Sequence, residues 1–367
     1  MFEKYFRSFV QSSEFEDITL ENPLDMHLHL REAEMCQCVL PFSAVNFISS
    51  LVMPNLTVPI TNTELALIYK EYILGIARKK GIYDYCPLMS LYLTTSLDKA
   101  ELLRAKNAGI KILKLYPKGV TTGSEGGVAA ILDEKILEIL QIAQDLGFIL
   151  SVHGESTGYC LEREFEFLVV FETLARDFPK LKIIIEHMSD SRSLRTLEKF
   201  DNLYATLSLH HMLLSLDDML GGNLKADLFC KPILKGHKDR DALLQTALSA
   251  HKKVSFGSDS APHLQEKKYS PSSPGGIFSA PILLPMLACV FAYHNKLENL
   301  QAFISDNPIA NYGLESFIQD ILQQSHSQAK LRHLCFKPYK IPESVPCGKG
   351  TISVLFGNKT CPYSLCE

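Results

Sequence analysis

The chain has 367 residues, 46% hydrophobic and 21% charged, with a formal net charge of -4, which excludes a largely disordered chain and leaves ample material for a core. With no extended basic surface, neither nucleic acid nor an anionic membrane is expected as the main partner, and a small-molecule substrate is. Met1 to Phe9 carries Lys4 and Arg7 with no long apolar stretch behind them, so no secretory signal is expected. The most apolar segment, Ile277 to Tyr293, is short for a membrane span and is interrupted by Pro281 and Pro285, so it reads as a buried helix region. The ten cysteines lack zinc-knuckle spacing and read as reduced thiols, with the cytoplasm as the expected compartment.

Runs rich in β-branched and aliphatic residues recur at intervals of roughly 35 residues, each followed by a helical pattern, which is the rhythm of βα units. The expected strands are Leu24 to His29, Asn46 to Met53, Tyr85 to Leu93, Ile112 to Tyr116, Phe148 to His153, Lys182 to His187, Leu203 to Leu207 and Val254 to Asp259. Helices are expected over Thr63 to Lys80, Ser96 to Ala108, Asp133 to Leu146, Glu162 to Phe178, Ser191 to Phe200 and Asp239 to Ala250, several opened by Ser, Thr or Asp caps. Eight such units predict an α/β fold, a (β/α)8 TIM barrel over 1–327 with a short C-terminal extension, 328–367, packed on it. An open doubly wound sheet is the alternative, but no Gly-x-Gly-x-x-Gly follows the first strand. Two long loops fall on the same barrel face. One runs from Lys118 to Gly127 and its glycine content reads as a mobile lid; the other spans Gln265 to Gly276.

Polar residues concentrate at the C-terminal ends of the expected strands, where barrels place their active sites. His27 and His29 are two apart in an extended segment, so they share a face and, in a barrel, both point inward as a chelating pair. His153 and His187 close two buried runs at the same rim, and Asp259 ends the eighth strand. Any one of these alone reads better as a structural residue; together they point to a metal site. Lys114 is the odd member, because an ammonium has no lone pair to give a cation. Burial beside cations lowers a lysine pKa, and the neutral amine then reacts with CO2 to give a carbamate whose two oxygens can bridge two metals.

On these residues the chain resembles the amidohydrolase superfamily, and within it the dihydroorotases of the short, single-domain bacterial type. The resemblance rests on His27-Leu28-His29-Leu30-Arg31, Met53-Pro54-Asn55, Lys114-Leu115-Tyr116-Pro117, Val152-His153-Gly154-Glu155, Glu186-His187, Pro232-Ile233-Leu234-Lys235 and Gly257-Ser258-Asp259-Ser260-Ala261-Pro262-His263. It implies two divalent metals, zinc by custom: His27 and His29 with Asp259 on one, His153 and His187 on the other, and a CO2-derived carbamate on Lys114 between them. Arg31, Asn55 and His263 look like a clamp on the substrate carboxylate. Thr121 and Thr122 match threonines of a lid, Gly275 a second loop contact, and Lys231 stands where the family places an apolar residue touching the substrate through its main chain.

The resemblance further implies reversible cyclisation of N-carbamoyl-L-aspartate to L-dihydroorotate, a step of pyrimidine synthesis, with the metals activating water and Asp259 as catalytic proton shuttle. A homodimer would be in keeping with it. The competing readings are another cyclic amide hydrolase, such as a hydantoinase-like enzyme, and a non-catalytic partner of aspartate transcarbamoylase. Arg31 and Asn55 speak against the first, and the intact set of six metal-ligand candidates against the second.

Overall fold

A computed structural model of the chain describes residues 3–7, 16–324 and 330–366. After β1 (Ile18–Glu21) come β2 (Leu24–Leu28), β3 (Ser49–Val52), β4 (Leu88–Met89), β5 (Leu91–Tyr92), β6 (Ile112–Leu115), β7 (Ile149–Val152), β8 (Lys182–Ile185), β9 (Leu203–Leu207) and β10 (Val254–Phe256). β2-β3-β4 and β5 through β10 pair in parallel in chain order. Only Ser90 separates β4 from β5, where its hydroxyl donates to the Val52 carbonyl at 2.7 Å. The seam between β10 and β2 closes through the Asp259 amide on the His27 carbonyl (2.9 Å) and the His29 amide on the Ser260 carbonyl (3.2 Å). With β4 and β5 as one bent strand, the eight expected strands close into a (β/α)8 barrel whose strands are buried on both faces.

The helices fall where capping chemistry places them. Asn62 and Asp98 accept the amides of Leu65 and Glu101, fixing the starts of Thr63–Lys79 and Lys99–Asn107. Asp133 starts Glu134–Leu146, and Gly147 ends it at a φ of 76°, a left-handed conformation that glycine adopts without strain. Among the helices that escape sequence reasoning is Ala33–Asn46, because Pro41 lies inside it and its apolar residues follow no clean stripe. Its last residue also corrects the second strand, which starts at Ser49 rather than Asn46. The Asn46 carboxamide is engaged by the carbonyls of Phe42 and Ala280 and the amide of Leu284, tying that helix to the segment after the eighth strand. The apolar segment noted in the sequence is a helix at Leu283–Tyr293, buried along most of its length, and among the described residues no helix is long and apolar enough to cross a membrane.

The C-terminal segment joins the N-terminus. Strand Leu331–Cys335 pairs antiparallel with β1 on one side and with Ser364–Leu365 on the other. The expected boundary at 327/328 lies outside the described residues. The expectation of reduced thiols is corrected at one pair: antiparallel pairing brings Cys335 and Cys366 to a Cα separation of 5.3 Å, and they form a disulfide. The other eight cysteines are free.

Candidate metal centre and substrate pocket

The strand ends converge on one pocket lined by His27, His29, Arg31, Asn55, Thr121, Thr122, His153, His187, Lys231, Asp259 and Gly275, together with Tyr116, Ala261 and Gly276. Lys114 lies beneath it, wholly buried, and His263 stands behind Arg31 on the outer side. The structure therefore gathers every residue singled out in the sequence around a single site. Arg31, His187 and Asp259 have φ of 58°, 38° and 45°, in the left-handed region that non-glycine residues seldom adopt. Such conformations persist where the surroundings over-determine them, and here they turn the strand ends sharply at the rim.

Carboxylates set the orientation of the imidazoles. His27 Nδ1 donates to Glu186 Oε2 at 2.9 Å, which leaves Nε2 as the free lone pair, 3.6 Å from Asp259 Oδ1. Glu186 is itself held by the hydroxyls of Ser151 (2.5 Å) and Thr206 (2.6 Å). His153 Nε2 donates to Glu155 Oε2 at 2.7 Å, so its Nδ1 faces His187 Nε2, 3.1 Å away. His29 Nε2 lies 3.3 Å from Asp259 Oδ1. Beneath the rim, Asp25 accepts the amide (2.7 Å) and hydroxyl (2.6 Å) of Ser258 and the His27 amide (3.1 Å), locking the turn that carries Asp259 to the strand that carries His27.

Burial favours the neutral form of three of these rings: it lowers the pKa of His29 to about 3 and moves His153 and His187 down as well. Burial also opposes ionisation of Asp259, but the His29 hydrogen bond and the His187 and His27 rings overcome it and hold the carboxyl well below the usual range. Lys114 is lowered to about 8 by burial, against the pull of Glu186 and Asp259.

Several buried atoms in this cluster have no hydrogen-bond partner: His27 Nε2, His187 Nδ1 and Lys114 Nζ. Buried polar atoms are otherwise almost always paired, so this concentration marks chemistry that protein atoms alone do not complete. Imidazole nitrogens and a carboxylate are borderline and hard donors suited to divalent cations, and His27, His29 and Asp259 offer ligand atoms within 4.8 Å of one another. The donor set fits a metal centre.

Arg31, Asn55 and His263, expected from the sequence to clamp a carboxylate, stand together at the pocket. Arg31 Nη2 lies 3.1 Å from His263 Nε2, and its Nε donates to the Pro262 carbonyl at 3.4 Å. His263 is pushed down to about 2 by burial and by the Arg31 and Lys268 cations, so it is a neutral ring beside the guanidinium. Asn55 Nδ2 donates to the Thr122 carbonyl at 3.0 Å and leaves its buried Oδ1 unpartnered. Over this wall folds the loop after β6, and its glycines serve turns. Gly123, at a φ of 70°, passes so close to Asn55 that a Cβ would sit 3.3 Å from it. The loop is pinned by Thr122 Oγ1 on the Gly275 carbonyl (3.3 Å) and by Lys231 Nζ on the Val120 carbonyl (2.8 Å). The space left between these residues is narrow, with a cavity volume of about 20 Å³.

Residues 98–314 match the amidohydrolase family model. A dihydroorotase of Helicobacter hepaticus is 61% identical over 300 residues, 82% of this chain and 86% of that protein. The chain belongs to the dihydroorotase family. A dihydroorotase of Helicobacter pylori strain J99 is 50% identical over 96% of this chain and 99% of its own length. The crystal structure of the Campylobacter jejuni dihydroorotase superimposes with a TM-score of 0.88 at 37% identity, covering 98% of this chain and 99% of that one. The match extends over the C-terminal segment as well as the barrel, so the dihydroorotase family likeness is not confined to the catalytic rim.

Sequence reasoning missed the residues that orient the ligands. Glu186 and Glu155 were visible beside the histidines, but nothing in the sequence pairs a carboxylate with a particular ring. His210, which follows the seventh strand, was passed over entirely. It is fully buried, both ring nitrogens lack partners, and Nε2 lies 3.9 Å from Asp259 Oδ2. Its position after a strand end is the signal that could have found it.

Proposed function

We propose that this dihydroorotase-family chain interconverts L-dihydroorotate and N-carbamoyl-L-aspartate on two divalent cations, with His27, His29 and Asp259 holding one, His153 and His187 the other, and carboxylated Lys114 between them. What supports the reading is that Arg31 and Asn55, with His263 behind them, share a pocket with His27 and His187, whose Nε2 and Nδ1 have no hydrogen-bond partner, and that Lys114 Nζ, also unpartnered, is buried close by. Divalent cations held there would supply an activated water and polarise the amide carbonyl. Zinc suits the donors, as would other divalent ions with a taste for nitrogen.

The chain's own residues do the rest. The clamp orients the ring through its carboxylate, with the guanidinium providing charge and directed donors. In hydrolysis, Asp259 takes a proton from the attacking water as the new C–O bond forms. It delivers that proton to the ring nitrogen as the C–N bond breaks, so the nitrogen leaves as a ureido NH2. Cyclisation runs the same transfers in reverse, Asp259 first deprotonating the ureido nitrogen. Thr122 and Lys231 hold the loop over the pocket and exclude bulk water.

Metal-loaded protein incubated with L-dihydroorotate is expected to consume it, followed by the ultraviolet absorbance of the ring; no change would revive the reading as a non-catalytic partner. Arg31→Met separates the remaining rival. It should raise KM for dihydroorotate about 100-fold, the loss expected for a charge-assisted bidentate contact, while leaving hydrolysis of a hydantoin without a carboxylate little altered. Equal losses on both substrates would contradict the clamp.

Lys231, where the family carries an apolar residue, directs its ammonium away to the loop. Lys231→Leu is expected to speed amide exchange across Val120 to Gly123 by about fivefold, the share of one hydrogen bond, and unchanged exchange would mean the contact holds nothing.

A further inference from the structure

Lys268 ends the short helix Gln265–Lys268 that follows His263, and it is 4% exposed. A buried ammonium is normally paired with a carboxylate, yet among the described residues Lys268 makes no ion pair. Its three donors go to three main-chain carbonyls: Phe229 at 2.8 Å, Gly276 at 2.9 Å and Pro274 at 3.1 Å. That matches the donor count of an ammonium. The Phe229 ring also lies 5.7 Å from Nζ. Burial lowers the group to about 8, with Cys230 and Asp227 opposing, so the ammonium form still prevails near neutral pH.

The three carbonyls belong to two chain segments that meet nowhere in sequence and form one wall of the pocket. Phe229 leads into Lys231, and Pro274 and Gly276 flank Gly275; both Lys231 and Gly275 face the site. The segments touch: the Gly276 amide donates to the Phe229 carbonyl at 2.9 Å, and a Cβ on Gly275 would lie 3.1 Å from Lys231 Cγ. His263, on the third segment, lies 3.1 Å from the Gly275 carbonyl. Carbonyl oxygens that converge repel one another, and a cation with several donors turns their convergence into an attraction. Without it, among the described residues, the wall that carries Lys231 and Gly275 keeps one direct backbone hydrogen bond between its two halves, Gly276 to Phe229.

We propose that Lys268 is a positioning residue for substrate binding, its ammonium fixing the main chain of Lys231 and Gly275 at the spacing the substrate requires. This rests on the reading that those two residues contact the substrate. It reaches neither the cations nor Asp259, so its effect falls on binding rather than on the proton transfers.

The test uses the full-length metal-loaded protein and the variant Lys268→Met, with Lys268→Arg as the conservative variant. The methionine variant should raise KM for dihydroorotate about tenfold with kcat and metal content little changed, as expected when a contact surface shifts by a fraction of an ångström. Amide exchange at Gly276 should quicken in parallel, and arginine, which keeps the charge, should recover part of both losses. Unchanged exchange and unchanged KM in a folded methionine variant overturn the proposal. Faster exchange with unchanged KM also overturns it, and locates the failure in the assignment of Lys231 and Gly275 as substrate contacts. If wild-type protein shows no turnover, the proposed reaction fails by itself and the exchange of Gly276 still decides whether Lys268 holds the wall. Should the methionine variant not fold, Lys268→Gln, with two donors, carries the same readings.

Discussion

Asp259→Ala is expected to lower kcat by about 10⁴-fold or more while substrate affinity stays measurable, since it removes a proton shuttle and a metal ligand together. The physical basis is its setting. Asp259 is drawn to His27 and His29, its amide is fixed on the His27 carbonyl, and the Asp25–Ser258 contacts lock the turn from which it projects. The clamp of Arg31 and Asn55 does not depend on it, so dihydroorotate should still bind and be detected by calorimetry. Asp259→Asn distinguishes the two roles: it preserves size and one oxygen ligand but offers no basic carboxylate, so metal content should fall less than turnover does. Turnover near the wild-type rate in either variant would remove Asp259 from the proton path.

Lys114→Ala should cost turnover at least about 10³-fold and lower the metal content below the two ions per chain proposed, because among the six ligand candidates Asp259 is then the one remaining anion. Lys114 sits fully buried with no hydrogen-bond partner for Nζ, in a cluster otherwise rich in oriented carboxylates. As a bare ammonium it would face cations; as a carbamate it supplies charge and two oxygens. Adding a short carboxylic acid such as acetate or propionate to the alanine variant should restore part of the activity and metal, since the acid fits the space left by the side chain and replaces the bridging oxygens. Full activity with two metals and no added acid would show that Lys114 bridges nothing.

The barrel was legible because its strands are buried on both faces and spell themselves as short aliphatic runs at even spacing. The places where the reading slipped have specific causes. Ala33–Asn46 hides behind an internal proline, and the third strand is broken at Ser90, whose side chain takes up a main-chain carbonyl. The Cys335–Cys366 bond follows from the antiparallel pairing of Leu331–Cys335 with Ser364–Leu365, a register that spacing in sequence does not encode. At the site, the ligand candidates could be read because each ends a strand, and alternation puts His27 and His29 on one face. Residues that act through others were not: Glu186 reaches His27 across the barrel, and Lys268 lies on a loop helix with no motif to mark it. Lys231 looked like a departure at a substrate-contact position. Its ammonium in fact turns to the Val120 carbonyl, while the residue lines the pocket.

The most direct test is an anomalous-scattering map of the zinc-loaded crystal, collected at the metal edge. Two peaks are expected, one by His27, His29 and Asp259 and the other by His153 and His187, with continuous density for a carboxylated Lys114 between them. A single peak beside an unmodified lysine would contradict the bridged centre.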